Sequence, residues 1–198
     1  MEKLCPSLYE DMITAACTSH EGLGWRRRKA YFQDRNVTAP PADIVWTEHD
    51  KISLSKLQRG ELPKFKDMKL DVMYCPLDNN FPAVECLYKI SETELVGIQI
   101  TRQTSSTKAI TVPALKALLC DKLGLQLHDA GILKLHLIHR PARSNTASLS
   151  IVAKQNAKED EHTIRQAIIK VMPAYYVLEA PDDYRKQYLL EDTLLSSK

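Results

Sequence analysis

The sequence lacks most of the features that would assign it quickly. No apolar run approaches the length of a membrane span. The opening MEKLCPSLYEDM is too acidic and too weakly apolar for a signal peptide, which predicts that none is present. There is no internal repeat, no low-complexity tract and no G-x-x-x-x-G-K-[ST] phosphate loop. There is no C-x-x-C, and the five cysteines (Cys5, Cys17, Cys75, Cys86, Cys120) have no metal-ligand spacing. An odd count without a pairing pattern favours free thiols in a reducing, intracellular setting. Cys86 and Cys120 sit in apolar runs, where a thiol behaves as a small hydrophobe. His136 and His139 fall on opposite faces of one strand, and His128 and His162 are isolated. No Ser-His-Asp or Cys-His set can be assembled. Net charge is only +2, so charge balance names no partner.

What is present is an ordinary globular composition. Of 198 residues, 44% are hydrophobic and 26% charged, enough for one domain with a sizeable core. Apolar periodicity predicts a helix over 7–19, then a strand over WRRRKAYF (25–32) with Trp25, Arg27, Lys29 and Tyr31 on one side. Residues 33–68 are irregular, with a short strand from Asp43 and a helix over ISLSKLQRG from Ile52. Strands follow from Lys69 and over the FPAVECLYKI and ELVGIQIT runs. Pro113 then opens a helix that Gly124 closes. Strands from Ile132 and Ala147, a helix from Glu159 ended by Pro173, the strand AYYVLEA and a terminal helix over DDYRKQYLLEDTLL complete the order. That succession predicts an α/β domain with a central mixed sheet and helices on both faces.

Polar residues interrupt two of the apolar strands. Alternation puts Ala83, Glu85, Leu87 and Lys89 on one face, and Leu95, Gly97, Gln99 and Thr101 on one face of the next strand. If Ser91-Glu92-Thr93 is the hairpin loop, Glu85 lies opposite Gln99 and Ala83 opposite Thr101. A two-residue loop would set Glu85 against Ile100 instead. The loop has no Gly or Asn of the kind a tight turn favours. A carboxylate on a buried face costs several kcal/mol unless it is paired or binds a metal. Glu85 is therefore either a site residue or a partner of Lys89 or Arg102 across the strands.

Glu85 on one strand and the Gln99-x-Thr101 pair on the next resemble the core layout of the restriction-endonuclease-like (PD-(D/E)xK) superfamily, an acidic residue followed by a [D/E/Q]-x-K-type pair. The run YCPLDNNFPAVECLY … ELVGIQITRQTSS is similar, more narrowly, to the C-terminal region of the Crinkler and retrotransposon hot spot (RHS) proteins. The matching residues are Asn80, Pro82, Val84, Glu85, Val96, Gly97, Gln99 and Thr101, within the central fifth of the chain. The resemblance implies one restriction-endonuclease-like domain over 1–198, with a core over about 7–140 and strand-helix additions over 141–198. It also implies a nuclear setting, and a metal-dependent nuclease or a nucleic-acid-binding relative. Glu85 and Gln99 would hold Mg²⁺, with Glu10 as a second carboxylate. Thr101 occupies the place of the superfamily's lysine and carries no charge. Lys108, at the mouth of the following helix, and Lys89, on the face of Glu85, are alternative cations for that place, and Asp71 is a further candidate for the site. Phosphates would be held by Arg26, Arg27, Arg28, Lys29 and Arg102. The bland reading of that run is a solvated strand, although Trp25, Tyr31 and Phe32 interleave with it as in stacking surfaces. Thr104 to Thr107 either receives a phosphate at a helix start or caps that helix. The competing function is an inactive scaffold with protein partners, docking through the terminal helix; no membrane association is expected.

Overall fold

The computed structural model describes residues 26–32, 56–70, 72–76, 81–101, 107–139, 148–153 and 159–179. The predicted helices over 7–19 and 182–195, the strand from Asp43 and Asp71 lie outside these residues. So do Glu10 and Arg102.

Among the described residues seven strands form one mixed sheet: β1 (Arg26–Tyr31), β2 (Lys56–Arg59), β3 (Val72–Cys75), β4 (Cys86–Ser91), β5 (Glu94–Thr101), β7 (Leu133–His139) and β9 (Ala174–Glu179). Across the sheet the order is β1-β9-β7-β5-β4-β3-β2. β3, β4 and β5 run as an antiparallel meander. The chain then leaves the sheet and returns as β7, parallel to β5, with β9 parallel to β7. β9 therefore sits inside the sheet, although it comes from the segment expected to be a late addition. β1 and β2 are the outermost of the described strands, and β2 corrects an expectation. Residues 56–59 were predicted as part of a helix, yet they pair in parallel with β3. Four residues are too few for helical periodicity to outweigh an available sheet edge.

β6 (Thr107–Thr111), a strand that the apolar periodicity does not predict, pairs in parallel with β8 (Ser148–Val152) as a separate two-stranded sheet. Helix α1 (Val112–Lys116) starts only after β6, so Thr107 is a strand residue and not a helix cap. Thr111 is the cap: its hydroxyl accepts the Ala114 N–H at 3.3 Å. The helix widens into a π-segment over Ala117–Lys122 and ends at Gly124, whose φ of 71° suits a residue without Cβ.

Leu115, Leu118, Leu119 and Leu123 of this helical segment, with Ile168 and Met172 from helix α2 (Glu159–Val171) and the residue after it, bury one face of the sheet. They meet Leu87, Leu95, Leu133, Leu135, Leu137, Tyr175 and Val177. The opposite face carries Met73, Cys86, Tyr88, Val96, Ile98, Ile100, His136 and Ile138, also buried. An α/β domain with a mixed sheet is thus the observed architecture, with the described helices packed on one face.

Gly97 occupies the middle of β5. A Cβ there would lie 2.9 Å from Val84 Cγ1, 3.1 Å from Leu133 Cδ1 and 3.4 Å from Leu135 Cδ2. Val84 is β-branched and cannot swing clear cheaply. Overpacking of this kind costs about 1–3 kcal/mol, offset by roughly 0.5–1 kcal/mol from removing a strand glycine. Gly97→Ala is expected to lower stability by about 1 kcal/mol in urea unfolding, and a gain in stability would show that the cavity is looser than this.

Candidate functional site

The Glu85 site begins with a turn. The N–H of Val84 bonds the carbonyl of Pro82 at 2.9 Å, and Ala83 between them has a φ of 68°. This three-residue γ-turn with positive φ is a rare and strained form. It breaks the strand alternation expected for 83–85, so β4 starts at Cys86. Val84 packs over Gly97 on the same sheet face that Glu85 uses, where strict alternation would have separated them.

Glu85 then caps the end of the ladder. Its N–H bonds the Ile98 carbonyl at 2.8 Å. Its carboxylate accepts the Ile100 N–H on Oε2 at 2.8 Å, and Gln99 Nε2 donates to Oε1. The side chain thus satisfies a β5 backbone group left unpaired where β4 stops. Gln99 is buried, with 4% of its surface exposed, so its amide depends on this contact. Lys108 arrives from β6 and places Nζ 3.8 Å from Glu85 Oε1, with side-chain exposures of 42% for Lys108 and 23% for Glu85.

The register that joins Glu85 to Gln99 is the expected one, reached by a different route. Cys86 pairs with Ile98 and Leu87 with Gly97, so the next step sets Glu85 against Gln99. The turn, however, has only two residues, because Ser91 pairs with Glu94. A register shift between Lys89 and Ser91 restores the alignment. Ser91 Oγ accepts the Thr93 N–H at 3.2 Å, standing in for the missing glycine.

Lys89 does not reach Glu85. It is buried at 2% exposure, bonds Glu92 Oε2 at 2.7 Å and lies over the Phe65 ring at 4.8 Å. It belongs to the hairpin end of β4, away from the site. Thr101 ends β5 opposite His139. Arg26, Arg27 and Arg28 lie in β1; their side chains, and that of Thr101, lie outside what is described. Lys29 is exposed, with Nζ 5.4 Å from the Tyr31 ring centre. β1 is three strands from β5, roughly 14 Å at ordinary strand spacing. His136, buried on the other face, stands edge-on to Tyr176 at 5.3 Å.

Mg²⁺ demands several hard oxygen ligands. Among the described residues no three His, Cys, Asp or Glu side chains converge. Glu85 is the carboxylate that the described residues bring to this place, and its oxygens already face two N–H donors and an ammonium. This donor set alone does not fit Mg²⁺. Glu10, the second expected carboxylate, is outside the described residues.

Compared with protein-family models, with curated proteins and with solved structures, the sequence matches none. No described helix is long and apolar enough to cross a membrane.

The unequal contacts of the cluster give unequal costs. Glu85→Ala strips the acceptor from the Ile100 N–H and from buried Gln99, a loss of about 2 kcal/mol. Lys108→Met removes a half-exposed ion pair at 3.8 Å and should change stability by less than about 0.5 kcal/mol. Urea unfolding of both variants checks the contrast; equal losses would mean that Lys108 holds the fold. At the turn, Ala83→Val forces a β-branched residue to positive φ and is expected to cost about 1–2 kcal/mol, whereas Ala83→Gly should be neutral within about 0.5 kcal/mol.

Proposed function

We propose that this chain is a nuclease-like domain that engages nucleic acid at the Glu85–Gln99–Lys108 cluster, with a site divergent from the usual pair of acids and a lysine. The observation that carries the reading is the meeting of these three side chains beside the C-terminal end of β5. Carboxyl ends of parallel strands are where open α/β sheets bind ligands. The strand order supports the same reading. A three-stranded antiparallel meander, a helix and a strand returning parallel to the last of the three is the restriction-endonuclease-like succession. A helix on the second sheet face and kinship with the Crinkler and RHS proteins are part of this proposal.

In this reading Lys108 does the work that Thr101 cannot. Its ammonium comes from β6 to the carboxylate that the superfamily's lysine would otherwise accompany. A phosphate oxygen approaching the cluster exchanges the weak contact with Glu85 for a charge-assisted bond to Lys108. Arg26 to Lys29 on the edge strand and Arg102 after β5 supply further phosphate contacts, which makes binding salt-dependent. Hydrolysis with Mg²⁺ calls for an additional acidic ligand, and Glu10 is the residue proposed for it.

One observation favours a second reading, that of a catalytically silent scaffold with protein partners: both oxygens of Glu85 are engaged within the chain. The experiment that separates the two is incubation with single- and double-stranded DNA and RNA, with Mg²⁺ or Mn²⁺, for wild type, Glu85→Ala, Gln99→Ala and Lys108→Met. The expected result is nucleic-acid binding that weakens with salt and falls several-fold in Lys108→Met, with its circular dichroism unchanged. Cleavage lost in Glu85→Ala and Gln99→Ala, with circular dichroism unchanged, would establish hydrolysis. Neither binding nor cleavage by wild type with either metal would favour the scaffold.

A further inference from the structure

Two cysteines that the proposed function does not use face each other beside the site. Cys75 ends β3 and Cys86 begins β4. The antiparallel register pairs Met73 with Tyr88 and Tyr74 with Leu87, so its next step sets Cys75 against Cys86. Their sulfurs lie 2.8 Å apart, and no disulfide joins them. Directly opposed residues of an antiparallel pair hold their Cα atoms about 4.5–5.5 Å apart, inside the span that a disulfide bridges. Closing the bond therefore requires side-chain rotation but no strand displacement. Cys86 is buried at 3% exposure, while Cys75 is half-buried.

We propose that Cys75 and Cys86 form a reversible cross-strand disulfide when the protein meets a peroxide, independently of the nucleic-acid reading above. The Cys75 thiolate attacks one peroxide oxygen. The O–O bond breaks, Cys75 becomes a sulfenic acid, and the departing hydroxide leaves as water with the thiol proton. The Cys86 sulfur then attacks the Cys75 sulfur. The S–S bond forms, the S–O bond breaks, and hydroxide leaves as water with the Cys86 proton. Two thiols and one peroxide give one disulfide and two waters; the sulfurs lose the two electrons that reduce the O–O bond. The product ties the start of β4 to β3, one residue from Glu85 and on the side away from β5.

The test treats the full chain with hydrogen peroxide, blocks remaining thiols with iodoacetamide and maps the peptides by mass spectrometry. The expected result is a linked Cys75–Cys86 peptide pair, with Cys120, in the π-segment, alkylated. The thermal midpoint should rise by ~4 °C and return on adding dithiothreitol. Cys75→Ser should abolish both the link and the rise. The wild-type map decides the matter even if that variant folds poorly. Alkylation of both Cys75 and Cys86 after peroxide, their conversion to sulfonic acids, or their linkage to other cysteines would overturn the proposal.

Discussion

The absent side chain of Gly97 is the constraint on which the site depends. It leaves a gap above β5 that Val84 fills. Val84 is held there by the γ-turn at Pro82–Val84, and the turn in turn delivers Glu85 to β5. A motif that reads as separate letters is therefore one mechanical unit. Pro82 supplies the turn carbonyl, Ala83 the strained corner, Val84 the anchor, Glu85 the cap and Gly97 the space. Positive φ at Ala83 is tolerated because contacts on both sides over-determine it.

The end of β4 explains why a carboxylate can live on this face. An antiparallel ladder that stops leaves backbone N–H groups without partners, and Glu85 takes one of them with Oε2. Gln99 uses the other oxygen. Hydrogen bonds to an ionised acceptor exceed neutral ones in strength, so these two offset much of the cost of partial burial. Lys108 adds little to that balance, because half of its side chain faces solvent. Lys108 is thus a half-exposed cation beside a carboxylate that does not need it for stability.

Much of this was legible in the residues. Alternation along 83–89 and 95–101 put Glu85 and Gln99 on facing positions, and the register survived although the loop count was wrong. The loop was misjudged because a bulge between Lys89 and Ser91 is invisible to a reading that counts residues around a turn. Strand β6 was missed for a related reason. TKAIT is short and half exposed, and only its parallel partner Ser148–Val152, far away in sequence, makes it a strand. The spacing of ISLSKLQRG predicts a helix, and a four-residue strand near its end carries no period of its own to contradict it. Lys89 looked like a neighbour of Glu85 because it shares that face, but a lysine four residues along a strand is about 13 Å away and found Glu92 and Phe65 instead.

By itself, then, the sequence determined the α/β class, the strands of the meander, the helix opened at Pro113 and the polar pair at the site. Those follow from periods of two and 3.6 residues and from turn chemistry, which are local. The tertiary structure decided which cation accompanies Glu85, which face Val84 takes and which cysteines stand opposite one another. Lys108 and Glu85 come from different sheets, Val84 is turned by a strained corner, and Cys75 meets Cys86 only through pairing. Such contacts depend on where separate strands are brought together in space, and no local pattern encodes them.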